Sequence, residues 1–119
     1  MARVLVVDGA NVVGSRPDGW WKDRAGAARR LHERLLVADL PYDDVVLVLE
    51  GAAKGGVPAG RDGHVTTAHA RGSGDDEIVA QAGRPDDTVV VVTADRMLQS
   101  RVAASGATSL GPSWLLDQL

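Results

Sequence analysis

The sequence contains no cysteine, no phenylalanine and a single tyrosine. Without cysteine there is no disulfide, no thiolate metal site and no cysteine nucleophile. Any metal must be held by oxygen or by histidine. The same absence fits a reducing compartment. Without phenylalanine, the core of the 119 residues has to be built from Val, Leu and Ala. No apolar run is long enough to cross a bilayer. Only Met1, Ala2 and Arg3 precede the first apolar run, and that run is too short for the core of a signal peptide. The expected location is therefore the cytoplasm, with no membrane partner. An excess of basic charge is lacking too: 13 Lys and Arg stand against 16 Asp and Glu, a net charge of −3. Broad nucleic-acid binding normally uses a basic face. Acids gathered in one metal site would leave the remaining surface near neutral, so net charge does not choose the partner. There is no repeat, low-complexity segment or linker, and the length suits one domain over residues 1–119.

What is present is an alternation of apolar runs and helical patterns. Val4-Leu5-Val6-Val7 reads as a strand buried on both faces, ending at Asp8-Gly9-Ala10-Asn11. A loop from Val12 to Lys22 follows, with Gly14, Pro17 and Gly19. Asp23 has the character of a helix N-cap, and Ala28, Leu31, Leu35 and Ala38 recur at helical steps over Arg24–Ala38, before Pro41. Val45–Leu49 is a second buried strand and ends on Glu50. Five glycines and Pro58 between residues 51 and 63 predict a mobile loop. His64–Ala68 reads as a weaker strand near a sheet edge. Ser73-Gly74 leads into a helix whose first turn carries Asp75, Asp76 and Glu77, an arrangement the helix dipole favours. Thr88–Thr93 is the clearest strand and is followed by Asp95 and a helix to about Ala104. Gly106–Leu110 predicts a short last strand. Pro112–Leu119 predicts a short helix with Trp114 and Leu115 facing the core. The order implies a three-layer α/β/α sandwich around a mainly parallel sheet of about five strands.

In an open parallel sheet, ligands bind beyond the carboxyl ends of the strands. Three strands deliver acids there: Asp8, Glu50 and Asp95. A helix start delivers Asp75 and Asp76. One Asp after a strand is as readily a turn residue or a cap as a ligand. The coincidence of several is what points to chemistry. Clustered carboxylates repel one another, and the usual remedy is Mg²⁺ or Mn²⁺, which takes oxygen ligands and substrate phosphates.

Asp8-Gly9-Ala10-Asn11, Ser73-Gly74-Asp75-Asp76-Glu77-Ile78 and Val92-Thr93-Ala94-Asp95-Arg96 together resemble, in order and spacing, the three blocks of NYN-domain nucleases, the YacP-like branch of the PIN-like superfamily. The resemblance runs from Arg3 to about Gly111. It implies a sheet of order 3-2-1-4-5 and a metal-dependent endoribonuclease that leaves a 3′-hydroxyl and a 5′-phosphate. It makes Asp8, Asp75 and Asp95 the metal-binding catalytic acids. Asn11 would orient the attacking water or bind the scissile phosphate. Glu50 stands where many relatives have an acid, usually Asp, and is a further candidate ligand, as is Asp76. Gly74 stands where relatives often have Ala. The implied partner is RNA, free or presented by a ribosome or another complex, with the chain a monomer or a homodimer.

Around these acids, Arg24, Lys54, Arg61, Arg71 and Arg96 are candidates for the phosphate backbone, Arg96 and Arg24 foremost. Asn11 and Ser73 complete the expected substrate contacts. Gly72-Ser73-Gly74 lacks the Lys and the spacing of a P-loop. Trp20 and Trp21 either cover the core beside the first helix or stack on bases. His64 and His69, five apart on one strand, point to opposite faces and make a shared metal site improbable. The alternative to a nuclease is a catalytically silent RNA- or metal-binding module on the same fold. An aspartyl phosphatase would want Asp-x-Asp where the chain has Asp8-Gly9-Ala10, and a receiver domain would want a late Lys, whereas none follows Lys54.

Overall fold

A computed structural model describes residues 1–119. The apolar run at the amino terminus forms β1 (Arg3–Asp8), and the two other strong runs form its neighbours, β2 (Asp44–Leu49) and β5 (Thr88–Val92). All three are parallel, with Val6 opposite Val46 on one side and Val91 on the other. Alternate residues on these strands go to opposite faces. Leu5, Val7, Val45, Leu47, Val90 and Val92 pack with Val12, Leu31, Leu35 and Leu115 from the helices α1 (Gly9–Gly14), α2 (Arg24–Val37) and α5 (Pro112–Gln118). Val4, Val6, Val46, Val48, Val89 and Val91 pack with Ile78, Leu98 and Val102 from α3 (Gly74–Ala82) and α4 (Arg96–Ala103). The result is the expected α/β arrangement, with helices on both faces of a mostly parallel sheet.

The sheet differs from the expectation in strand number and order. It has six strands, in the order β3-β4-β2-β1-β5-β6. β4 (Val65–His69) and β6 (Thr108–Leu110) are the weak strands read from the sequence. The unexpected one is β3 (Gly60–Asp62), antiparallel to β4 at the sheet edge. Its three residues are all exposed and carry no apolar alternation, so nothing in their pattern announces a strand. Gly63, at φ 59°, makes the turn between the two. The rest of the glycine-rich segment is not an open loop either. Gly51–Gly56 forms 3-10 turns that pack on α2.

Two further differences concern helices. The expected loop after β1 begins with α1, a helix of 6 residues whose glycine ends and β-branched Val12 and Val13 hide it from propensity. α2 stops at Val37, before Pro41, because Ala38 is already extended at ψ 139°. In α5, Leu115 is fully buried, while Trp114 is half-buried and meets Tyr42 edge-on at 6.3 Å. No helix is long and apolar enough to cross a membrane.

Candidate functional site

Because β1, β2, β4, β5 and β6 are parallel, their carboxyl ends form one rim. Asp8 is the last residue of β1 and also the N-cap of α1, its Oδ1 accepting from the Asn11 backbone N–H at 3.3 Å. The chain can turn from strand to helix this tightly because residue 9 is glycine. A Cβ there would stand 2.5 Å from the Val48 carbonyl oxygen of β2. Asp8 is only 7 % exposed. Its Oδ2 accepts from the Thr93 hydroxyl at 2.9 Å, and the same hydroxyl oxygen accepts from the Asp95 backbone N–H at 3.1 Å. Thr93 thus ties the end of β1 to the start of α4. Its carbonyl is held in turn by the Gln99 amide at 2.8 Å.

The other acids are placed by the helices they begin. Asp95 caps α4, with Oδ1 accepting from the Met97 and Leu98 N–H groups. Ser73 caps α3 by accepting from the Asp75 N–H at 3.1 Å. Glu50, at the end of β2, accepts from the Gly74 N–H at 2.8 Å. Residue 74 has room for this because it has no side chain: a Cβ there would press on the Glu50 carboxylate at 3.3–3.4 Å. Glu50 and Gly74 are therefore one feature. The longer acid reaches the helix start, and the smaller residue lets it in.

These groups share one electrostatic field. Burial first, and then the charges of Asp75 and Glu50, push the Asp8 carboxyl above its ordinary value, against the hydrogen bonds from Thr93 and Asn11. Burial, followed by the charges of Asp95 and Glu50, likewise raises Asp75, with Arg101 opposing and Asp76 adding a little. The ion pairs of the chain are Arg61–Asp44 and Arg101–Asp76, each at 3.0 Å. Asp8, Glu50, Asp75 and Asp95 are in neither.

Asp75 is thus within electrostatic reach of Asp95 and Glu50, and Asp8 within reach of Asp75 and Glu50. Asp76 is exposed and turned to Arg101 on α4. Asn11 is at the rim, but its Oδ1 accepts from the Ala94 N–H at 2.8 Å, bracing α1 against the turn after β5. Arg96 is exposed at the start of α4, and Arg24 lies 4.9 Å over the Trp20 ring. Lys54 and Arg61 are engaged elsewhere, with the Ala70 carbonyl and Asp44 respectively. His64 and His69 are each hydrogen-bonded to a backbone carbonyl, of Leu35 and Val57. The residue the sequence did not single out is Thr93. Its signals were its place in the Val92-Thr93-Ala94-Asp95-Arg96 block and a polar side chain at the end of a valine run.

The donor set is all oxygen, the donor type that hard divalent ions take, and Arg101 offsets part of the charge at Asp75. No three Asp, Glu or His side chains close round a common point. Mg²⁺ ordinarily keeps several waters and takes only one or two carboxylates directly, so the residues fit such an ion by donor type and charge.

No protein-family model and no curated protein matches the chain. Its backbone is similar to the crystal structure of Rae1 (YacP) from Bacillus subtilis. The TM-score is 0.74, over 97 % of this chain and 73 % of that one, at 20 % sequence identity. The chain has a YacP-like α/β fold. At this identity the likeness is one of fold alone.

Proposed function

We propose that the protein is a metal-dependent endoribonuclease of the NYN, PIN-like type. The observation that carries this reading is the meeting of Asp8, Asp75, Asp95 and Glu50 at one rim, where burial and mutual charge raise Asp8 and Asp75. Like charges gathered without a cationic partner are costly, and a divalent ion relieves that cost. Asp8, Asp75 and Asp95 would hold Mg²⁺ or Mn²⁺, with Glu50 beside them and Asp76 adding charge from outside. Such an ion, when bound, polarises a phosphoryl oxygen and lowers the pKa of water. The chain's own contribution is position. Thr93 fixes the Asp8 carboxylate and the start of α4 with one hydroxyl. Asn11, anchored through its oxygen, keeps its amide N–H₂ for a phosphate or a water. Arg96 and Arg24 offer charge to the strand on either side, and Ser73 holds the first turn of α3 in place. The YacP-like fold supports RNA as the substrate class.

The test is cleavage of single-stranded RNA by the purified chain in Mn²⁺, beside Asp8→Asn and Asp95→Asn. Cutting by the wild type that both variants lose, together with weakened Mn²⁺ binding, is the expected result. No cutting by the wild type, with Mn²⁺ bound equally by all three, would sink the proposal. A silent binding module is the second reading, favoured by the use of both Asp8 oxygens within the chain. Metal affinity without hydrolysis of RNA or DNA would select it.

A further inference from the structure

Beside the acidic rim lies a pocket of about 350 Å³, between α1, the 3-10 turn at Trp20–Lys22, α2 and the turns at Gly51–Gly56. That volume is within the range of small-molecule sites. Trp20 and Arg24 contribute to one side and Ala52 and Ala53 to another, while Ala28 and Leu49 bring buried apolar surface. Gly9 and Glu50 also line it, so the pocket adjoins the ends of β1 and β2 that carry the acids.

Its chemistry is unlike that of the rim. The Arg24 guanidinium lies 4.9 Å over the Trp20 ring and is in no ion pair. Trp21 meets Trp20 edge-on at 6.0 Å but does not line the pocket, and is 53 % exposed. The two tryptophans thus divide, and only Trp20 faces the cavity. Flat aromatic and guanidinium surfaces are those on which unpaired bases stack. A neighbouring surface carries the exposed Arg16, Arg30 and Arg34, none of them in an ion pair, together with Asp18. These arginines offer positive charge to phosphates, in a chain whose net charge is −3.

We infer that this pocket takes one unpaired base of a single-stranded RNA, stacked against the Trp20–Arg24 pair, and so sets where the strand crosses the acidic rim. The inference rests on the nuclease reading for its substrate and goes beyond it in naming where a base is read. A strand held this way would have its base beside Glu50 and the end of β1, next to the carboxylates. Double-stranded RNA, with its bases stacked inside, could not fill the pocket.

The experiment uses the Asp8→Asn chain in Mg²⁺, titrated with a single-stranded RNA of ten nucleotides and with the same strand lacking its bases. The complete strand should quench tryptophan fluorescence and bind, and the abasic strand should bind at least about tenfold more weakly. Trp20→Ala should weaken binding of the complete strand by a similar factor. Ala52→Phe should do the same: it fills the pocket from the other side at an exposed position and leaves Trp20 untouched. Trp21→Ala should bind as its parent does. Equal binding of the two strands, or full binding by both Trp20→Ala and Ala52→Phe, would overturn the inference. Otherwise wild-type cleavage insensitive to Ala52→Phe would discard the pocket and keep the nuclease. Base-dependent binding with no cleavage by the wild type in Mn²⁺ would discard the nuclease and keep the pocket.

Discussion

Both rims of the sheet carry acids, and they use them differently. At the amino ends of the strands, Asp43 accepts from the Arg3 backbone N–H at 2.7 Å and Asp87 from the Ala2 N–H at 2.9 Å. Asp44 pairs with Arg61. Each of these carboxylates closes a bond with the chain or with a cation. At the carboxyl ends, Asp8, Glu50 and Asp95 also accept chain or hydroxyl hydrogen bonds, Asp75 accepts none, their charges act on Asp8 and Asp75, and none of the four has an ion-pair partner. An acid beside a strand end is therefore not a site. What sets the carboxyl-end acids apart is that several of them act on one another's charge, with Arg101 only partly offsetting it at Asp75.

The contrast can be broken by mutation, and the largest effect is expected at Asp8. Asp8→Asn should cut RNA-cleaving activity by about 100-fold or more, since even residues that only orient metal ligands cost 10–100-fold when replaced. It should also raise the thermal midpoint at neutral pH, because an isosteric amide removes a buried charge. The Asp8 carboxyl is raised above 3.8 in the folded chain. The stability that protonation lends the wild type is complete below that value and is lost as pH rises through the folded value. The advantage of Asn should therefore be absent in strong acid and grow toward neutrality, which melting curves across pH would check. A variant less stable than wild type at pH 7 would refute the electrostatic account.

Next in size is Thr93→Val. It removes the hydroxyl shared by Asp8 and the start of α4, and should lower metal affinity or activity by about 10- to 100-fold. Titration with Mn²⁺ beside a cleavage assay would measure both. At the opposite rim Asp43→Ala should cost about 1 kcal/mol of stability, the worth of one hydrogen bond, and leave cleavage rates unchanged. A loss of activity there would erase the distinction between the rims. An effect of similar size concerns Glu50 and Gly74. Gly74→Ala should cost under about 1.5 kcal/mol by crowding the carboxylate, and Glu50→Asp about 1 kcal/mol by releasing the Gly74 N–H. The double variant should lose less than the sum, as expected for residues in contact. Chemical denaturation of the set would show whether the coupling exists.

Much of the framework was legible because burial on both faces writes continuous Val and Leu runs. β1, β2 and β5 stand out for that reason, as does the cap Asp23 at the start of α2; the capping role of Ser73, read from the sequence only as a substrate contact, was not legible. α1 and β3 were illegible: one is a short helix made possible by a glycine against the Val48 carbonyl, the other a three-residue exposed edge. The acids of the candidate site could be named from their positions after strands and before helices. Their partners could not. The bond from Thr93 to Asp8 joins residues 85 positions apart, and that from Ala94 to Asn11 joins residues 83 apart.

The sequence by itself determined the alternation of strands and helices, because apolar period and capping are local properties. It also determined that carboxylates would end the buried strands. Only the tertiary structure decided which carboxylates meet. Parallel pairing of β1 with β2 and β5 carries Asp8, Glu50 and Asp95 to a common edge, and α3 brings Asp75 to them. The same packing turned Asp76 aside to Arg101 and put Trp20, but not Trp21, on the pocket wall. Charge acts through space, and the distances that set it exist only once the chain has folded.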